Sequence, residues 1–166
     1  MATTTEQIKE LRAITGAGIM DCKRALEETK GDIDAALAVL KQQGLVKAEK
    51  KAHREVRQGL VESYVHPGGR IGAMVEVNCE TDFVAHTDEF KKLACDLTLQ
   101  VAAMDPLFID SDDIPEGMDP SQVCLIHQPF IRDPEKTVQD IITETIAKVG
   151  ENIKVRRFAR FELGKE

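Results

Sequence analysis

Two side chains of opposite character, Asp82 and Phe83, stand together in the run Asn78-Cys79-Glu80-Thr81-Asp82-Phe83-Val84. A carboxylate placed there can disturb a cation or a network of donors on another molecule, while the ring beside it fills an apolar pocket. The competing reading makes Phe83 a core residue closing a corner and Asp82 a turn former. Spacing alone favours that second reading, because aromatic rings at corners are usually buried. Other chemistry has little support. Cys22, Cys79, Cys95 and Cys124 are dispersed without a Cys-x-x-Cys pair, and His53, His66, His86 and His127 complete no zinc-ligand spacing with them. The cysteines read as reduced, mostly buried thiols. Asp110, Asp112, Asp113 and Glu116 lack the spacing and the glycine of a calcium loop and read as solvated. Gly68-Gly69 leads into no Gly-Lys pattern and no helix, so it is no phosphate cradle. No nucleophile with a base and no pair of acids is nominated, so neither catalytic residues nor a cofactor is expected.

The elements that must position Asp82 and Phe83 follow from periodicity. Ile71, Ala73, Val75 and Val77 alternate toward one side of a strand that runs straight into the pair. Residues 60–65 and 70–79 flank His66-Pro67-Gly68-Gly69, a hairpin signal. Beyond the pair the spacing predicts a helix over Asp88–Met104 with a stripe of Phe90, Leu93, Ala94, Leu97, Val101 and Met104. Leu99, Ala102 and Ala103 form a second apolar side that points to another chain or subdomain. Residues 105–122 read as loop and 123–127 as a short strand. Lys136 leads into a helix carrying Val138, Ile141, Ile142, Ile146 and Val149, stopped by Gly150. A last strand over 153–163 alternates Ile153, Val155, Ala159, Phe161 and Leu163 against Lys154, Arg156, Phe158, Arg160 and Glu162. Arg157 is expected at an edge or paired with an acid.

The first 44 residues read as three short helices, with Gly16, Gly31 and Gly44 as stops and Thr15 and Asp32 as caps. Ile19 and Met20 either both lie in this small core or leave one edge to grip a partner helix. Residues 45–57 form a connector in which Lys47, Lys50, Lys51, Arg54 and Arg57 oppose only Glu49 and Glu55. It has no aromatics to stack on bases, and the formal charge of the chain is -7, so no direct nucleic-acid contact is expected. No apolar run approaches a membrane span and the start lacks a signal-peptide layout. A soluble, cytoplasmic protein of 166 residues without a membrane partner is expected. The expected fold class is α+β: a three-helix module at 1–44, a basic linker at 45–57, and a core at 58–166 of antiparallel sheet packed with helices.

Several longer runs then carry a resemblance. They are Leu-Arg-Ala-Ile-Thr-Gly-Ala-Gly-Ile-Met-Asp-Cys-Lys-Arg-Ala-Leu over 11–26, Gly31-Asp32-Ile33, Asn78 through Val84, and Gln128-Pro129-Phe130. Lys136-Thr137-Val138, the stretch 146–153 and Arg156-Arg157-Phe158 complete the set. Together they resemble the translation elongation factor Ts family over nearly everything except 109–127. The resemblance implies that residues 1–44 are similar to ubiquitin-associated (UBA-like) domains and dock on the G domain of elongation factor Tu through Arg12, Ile19, Met20 and Lys23. It places Lys51 of the linker near that partner. It implies that Phe83 wedges between two G-domain helices. Asp82, between Thr81 and Val84 in the same signature, would help displace the elements that hold magnesium. The implied activity is guanine nucleotide exchange in protein biosynthesis, GDP being released for GTP to replace it. Long family members have two related subdomains, one with Thr-Asp-Phe and one with a tyrosine-containing hairpin bearing Arg-Ile-Gly. This chain has one core carrying both sets, Tyr64-Val65-His66 with Arg70-Ile71-Gly72 and Asp82-Phe83, which implies a homodimer. Each partner would be gripped by Phe83 of one subunit and by Ile71 and Gly72 of the other. Gln100 stands where the family often has a histidine in the helix that reaches the partner. A helical segment usual before Gln-Pro-Phe is absent.

Overall fold

The alternation of Ala73, Val75 and Val77 builds the strand β2 (Ile71–Cys79), with those three side chains buried on one face. A computed structural model of the chain describes residues 4–165. In it β2 is the middle of a three-stranded antiparallel sheet, between β1 (Gln58–Val65) and β5 (Ile153–Glu162). The hairpin turn falls where Pro67-Gly68-Gly69 predicts it, pairing Val65 with Gly72. Two further short strands, Pro129–Phe130 and Asp133–Thr137, pair with each other as β3 and β4.

The buried face of the sheet is covered by one long helix. After the one-turn helix α4 (Asp82–Ala85), Thr87 caps α5 (Asp88–Met104) by accepting the N–H of Phe90. Phe90, Leu93, Ala94, Leu97 and Val101 line its inner side and share a core with Val75, Val77 and Ile153. α7 (Val138–Val149) adds Val138, Ile142 and Ile146 to that core. It begins at a reciprocal cap between Thr137 and Asp140 and stops at Gly150, whose φ of 80° ends the helix. Mixed helices and an antiparallel sheet make the fold α+β, as the sequence predicts. No helix among the described residues is long and apolar enough to cross a membrane.

At the N-terminal end α1 (Thr5–Thr15), α2 (Ile19–Glu28) and α3 (Ile33–Glu49) enclose a second, smaller cluster of Leu11, Cys22, Ala25, Leu26 and Ala36. Asp32 caps α3 and Gly16 closes α1, both as expected. Thr15 caps nothing: it ends α1, its hydroxyl donating to the Leu11 carbonyl at 2.7 Å and accepting from Ala17 N. The predicted stop at Gly44 is also overturned, since α3 runs on to Glu49. Gly44 is buried against α7, where an added Cβ would stand 3.6 Å from the Cβ of Ala147. Packing onto α7, with Ala48 joining the larger core, outweighs the low helix propensity of one glycine.

Two other expectations fail for local reasons. Residues 123–127 form no strand. Asp119 caps the turn α6 (Pro120–Val123), and a 3-10 turn over Leu125–His127 follows. In β5 the alternation changes phase, because a bulge opposite Glu76 and Val77 leaves Arg156 without a counterpart. Ile153 and Val155 face the core before it, and Phe158 packs there after it. Ala159, Phe161 and Leu163 therefore point outward, opposite to the simple period-two reading. Arg157 does pair with an acid, its Nε lying 2.7 Å from Glu76.

The second position of β1 is one that only glycine can fill. Gly59 has φ 143°, and a Cβ built there would lie 2.0 Å from the carbonyl oxygen of Val77. Gly59→Ala is expected to cost about 2–3 kcal/mol of stability, read as an earlier urea midpoint with unchanged slope.

Candidate partner-binding site

Where β2 ends, the chain makes a corner and then a single helical turn, and a turn of four residues has room inside for only part of its length. Val84 and Ala85 take the inward positions. Asp82 is exposed, and Phe83 is 82% exposed. The expectation that Phe83 closes the corner as a core residue is thus overturned. Burying a phenylalanine is worth about 1.5–3 kcal/mol, so a ring left in water on an ordered turn forgoes a sizeable contribution. His86, which spacing did not single out, shares the face: its Nδ1 lies 2.6 Å from the carbonyl oxygen of Asp82, which requires the ring proton on that nitrogen.

The root of the corner is tightly bonded. Thr81 Oγ1 accepts from Val84 N at 3.5 Å and donates to Glu151 Oε1 at 2.6 Å. The Thr81 N–H donates to Glu151 Oε2 at 2.9 Å. Cys79 Sγ donates to the Thr81 carbonyl at 3.1 Å. Beside it Glu80 accepts the N–H of Asn152 at 2.7 Å, and the Asn152 amide donates to the carbonyls of Ala52 and Arg54. Arg54 reaches Glu80 at 3.4 Å, so the connector between α3 and β1 is drawn against the corner. Lys51 is in the same neighbourhood. Partial burial, then the Arg54 charge, pull its pKa below the ordinary lysine value, against the opposing pull of Glu80 and Glu151. Nothing in linear spacing links residues 81 and 151; the pairing of β2 with β5, which sets Cys79 opposite Ile153, brings them together.

The other residues singled out from sequence are scattered over several places. Arg12 and Lys23 are exposed, and Ile19 and Met20 are 54% and 64% exposed on the first turn of α2, so neither completes the small core. Ile71 packs against the main core from the far end of β2, with Gly72 half-buried beside it. Two residues do not belong to any accessible surface. Val84 is buried in the turn, and Gln100 is fully buried on α5. The Gln100 amide donates to Gln128 Oε1 and the Pro129 carbonyl, and its oxygen accepts from Ile131 N at 2.9 Å. Gln100 is therefore a brace between α5 and the segment 128–131, with no free atom to offer a partner. That is a correction to its expected place at the interface.

Comparison with known proteins covers the chain almost end to end. A family model described as Elongation factor TS matches residues 3–120 and 117–165, the two segments meeting inside the long loop after α5. The chain is 48% identical to Elongation factor Ts of Carboxydothermus hydrogenoformans, over 97% of this chain and 89% of the relative. It is 46% identical to Elongation factor Ts of Thermodesulfovibrio yellowstonii, over 99% of this chain and 98% of the relative. A third relative of that name, from a Thermoanaerobacter species, is 46% identical over 97% of this chain. The first alignment runs over 193 positions, more than the 166 residues of this chain, so the relative carries residues that this chain lacks.

The four thiols, one of them at the corner, have contrasting environments. Burial, with the Glu151 charge adding to it, pushes the Cys79 thiol up to about 11. Cys22 and Cys124 are buried too, whereas Cys95 is exposed on α5. In mildly alkaline buffer a water-soluble disulfide reagent is expected to modify Cys95 alone in the native protein. Cys95→Ser should abolish that fast phase, and the remaining thiols should react only on denaturation.

Proposed function

The chain belongs to the elongation factor Ts family, and from that premise we propose that it is a guanine nucleotide exchange factor for elongation factor Tu, acting through the corner that bears Asp82 and Phe83. The observation that carries this reading is the exposed ring of Phe83 on a short turn whose root is held by hydrogen bonds. An exchange factor performs no covalent chemistry. It binds the nucleotide-free partner better than the nucleotide-bound one, and by reciprocity it weakens nucleotide binding by the same factor. The vulnerable point on such a partner is the magnesium ion that offsets the phosphate charge. Phe83 enters an apolar pocket between helices of the G domain, and Asp82 beside it displaces the groups that hold magnesium. Arg12, Ile19, Met20 and Lys23 on the first two helices provide a separate docking face, and Lys51 lies between the two. All of these except the half-buried Lys51 are exposed side chains. This work takes place in the cytoplasm, where translation elongates its chains.

The active unit is a homodimer. Ile71 and Phe83 lie at opposite ends of β2, eight strand steps apart, which is roughly 26 Å at 3.3 Å per residue. Two copies related by a twofold axis can bring the hairpin end of one beside the corner of the other. The helix side with Leu99, Ala102 and Ala103 gives this less support than the sequence suggested, since Ala102 is buried within the chain and Leu99 half-buried. The outer face of the sheet supports it better. Val61, Val65, Met74, Phe161 and Leu163 all stand exposed there, Phe161 to 71%, and no element among the described residues covers them.

Release of a fluorescent GDP analogue from bacterial elongation factor Tu tests the first part. The unsubstituted protein should accelerate release strongly, and Phe83→Ala should lose roughly tenfold or more of that acceleration, as for a central interface residue. Acceleration untouched by the substitution would move the mechanism to the hairpin; binding without acceleration would make the chain a binding relative only. For the second part, light scattering should give twice the chain mass of 18.4 kDa at micromolar concentration. Met74→Glu with Phe161→Glu should reduce that to the single chain. A strict monomer before substitution would remove the dimer.

A further inference from the structure

The turn that carries Phe83 is not held by its own sequence alone. In a reciprocal helix cap the third residue of the helix reaches back to the N–H of the capping residue. After the cap Thr81, that third position is Val84, which has no acceptor to offer. The N–H is nevertheless satisfied, by the carboxylate of Glu151 from 70 positions further along the chain. The same carboxylate accepts the Thr81 hydroxyl, which frees that oxygen's lone pairs for Val84 N. Glu151 follows directly on Gly150, whose left-handed backbone ends α7 and turns the chain back toward the corner. A second bond crosses beside it, with Glu80 accepting from Asn152 N. Two adjacent residues of the corner are thereby laced to two adjacent residues of the α7–β5 junction.

We propose that Glu151 is a positioning residue for the exchange reaction: without touching the partner, it holds Thr81 so that Asp82 and Phe83 are presented in one orientation. The proposal rests on the exchange reading given above and deepens it. A one-turn helix has little intrinsic stability, because it fixes several dihedrals for one or two internal bonds. An unsupported turn would have to be ordered at the moment of docking, and the apparent affinity would fall by the fraction of time it is correctly folded. Glu151 removes that loss by borrowing the stability of α7 and β5. Substituting it should therefore weaken the approach to the partner and leave the chemistry of the bound state, supplied by Phe83 and Asp82, largely as it was. Glu151→Gln is the sharp substitution. An amide keeps one acceptor for the Thr81 hydroxyl but turns the other position into a donor facing the Thr81 N–H.

The chain contains no tryptophan, so Phe83→Trp places a single indole at the corner, excited selectively at wavelengths where Tyr64 does not absorb. In that background Glu151→Gln should increase the fast, local component of the anisotropy decay by about twofold or more, with the far-ultraviolet circular dichroism unchanged. With Phe83 in place, exchange measured against factor concentration should show the half-saturating concentration rising about fivefold or more while the plateau rate stays within about twofold. Phe83→Ala should instead lower the plateau. Thr81→Val, which deletes the same hydroxyl bond from the other side, should reproduce the shift, and combining it with Glu151→Gln should add little. It also stands in for Glu151→Gln should that variant fail to fold. An unchanged anisotropy decay would overturn the hold of Glu151 on the corner. A changed decay with unchanged half-saturation would overturn its role in exchange. No acceleration by the unsubstituted protein would overturn the exchange reading itself, and this proposal with it.

Discussion

The sheet hydrogen bonds on both sides of β2 are the constraint on which the other features depend. β2 is paired from Gly72 to Cys79 with β1 and over its whole length with β5. A strand held on two sides cannot slip by one residue without turning Val75 and Val77 out of the core. Its end point is therefore fixed, and with it the direction in which the chain leaves at Cys79. The corner inherits that rigidity, and Glu151 and Asn152 add a second hold from the start of β5. Only against such a base does an exposed ring at Phe83 keep a defined orientation.

The bulge in β5 shows how one extra residue redistributes surface. Before it, Ile153 and Val155 point inward; beyond it the phase reverses, and Phe161 and Leu163 are turned to the outside. Arg160 takes an inward position and is satisfied there, its Nε donating to the Ala102 carbonyl at 3.0 Å and its guanidinium reaching Asp105 and Glu162. The outcome is a sheet with one face covered by α5 and the other apolar and bare. A bare apolar face on a small antiparallel sheet is a feature that proteins ordinarily keep for another surface.

Continuity of α3 connects the two ends of the molecule. By running through Gly44 it lays its second half along α7, where Lys41 also approaches Asp140 at 3.8 Å. The connector beyond it is tied by Arg54 and the Asn152 amide to the corner. The exposed apolar pair Ile19 and Met20 and the exposed Phe83 are thus carried on parts joined through α3 and α7, rather than on units hung from a loose arm.

Much of this was legible in the sequence where the cause is local. The hairpin, the bounds of α5, the cap at Asp32, and the stops at Gly16 and Gly150 depend on neighbours within a few residues, and each stands where it was expected. The run from Asn78 to Val84 was legible too, as the stretch to watch. What sequence could not decide is which side of an element faces inward once distant segments have packed. Phe83 and Val84 are adjacent and both apolar, and nothing in their order says that Val84 goes in and Phe83 out. In the folded chain Thr81, at the head of that turn, is bonded through its N–H and its hydroxyl to the distant Glu151. Gln100 is in phase with Leu93 and Leu97 on α5, a polar group on the inner side of the helix, and only the arrival of Gln128 and Ile131 shows how it is satisfied there. The chain alone determined those helices, strands and turns whose caps, stops and periodicity are local, because short-range hydrogen bonds suffice for them, whereas the run of α3 through Gly44 and the phase of β5 needed packing and pairing. Tertiary structure decided exposure, because burial depends on residues brought together from tens of positions away.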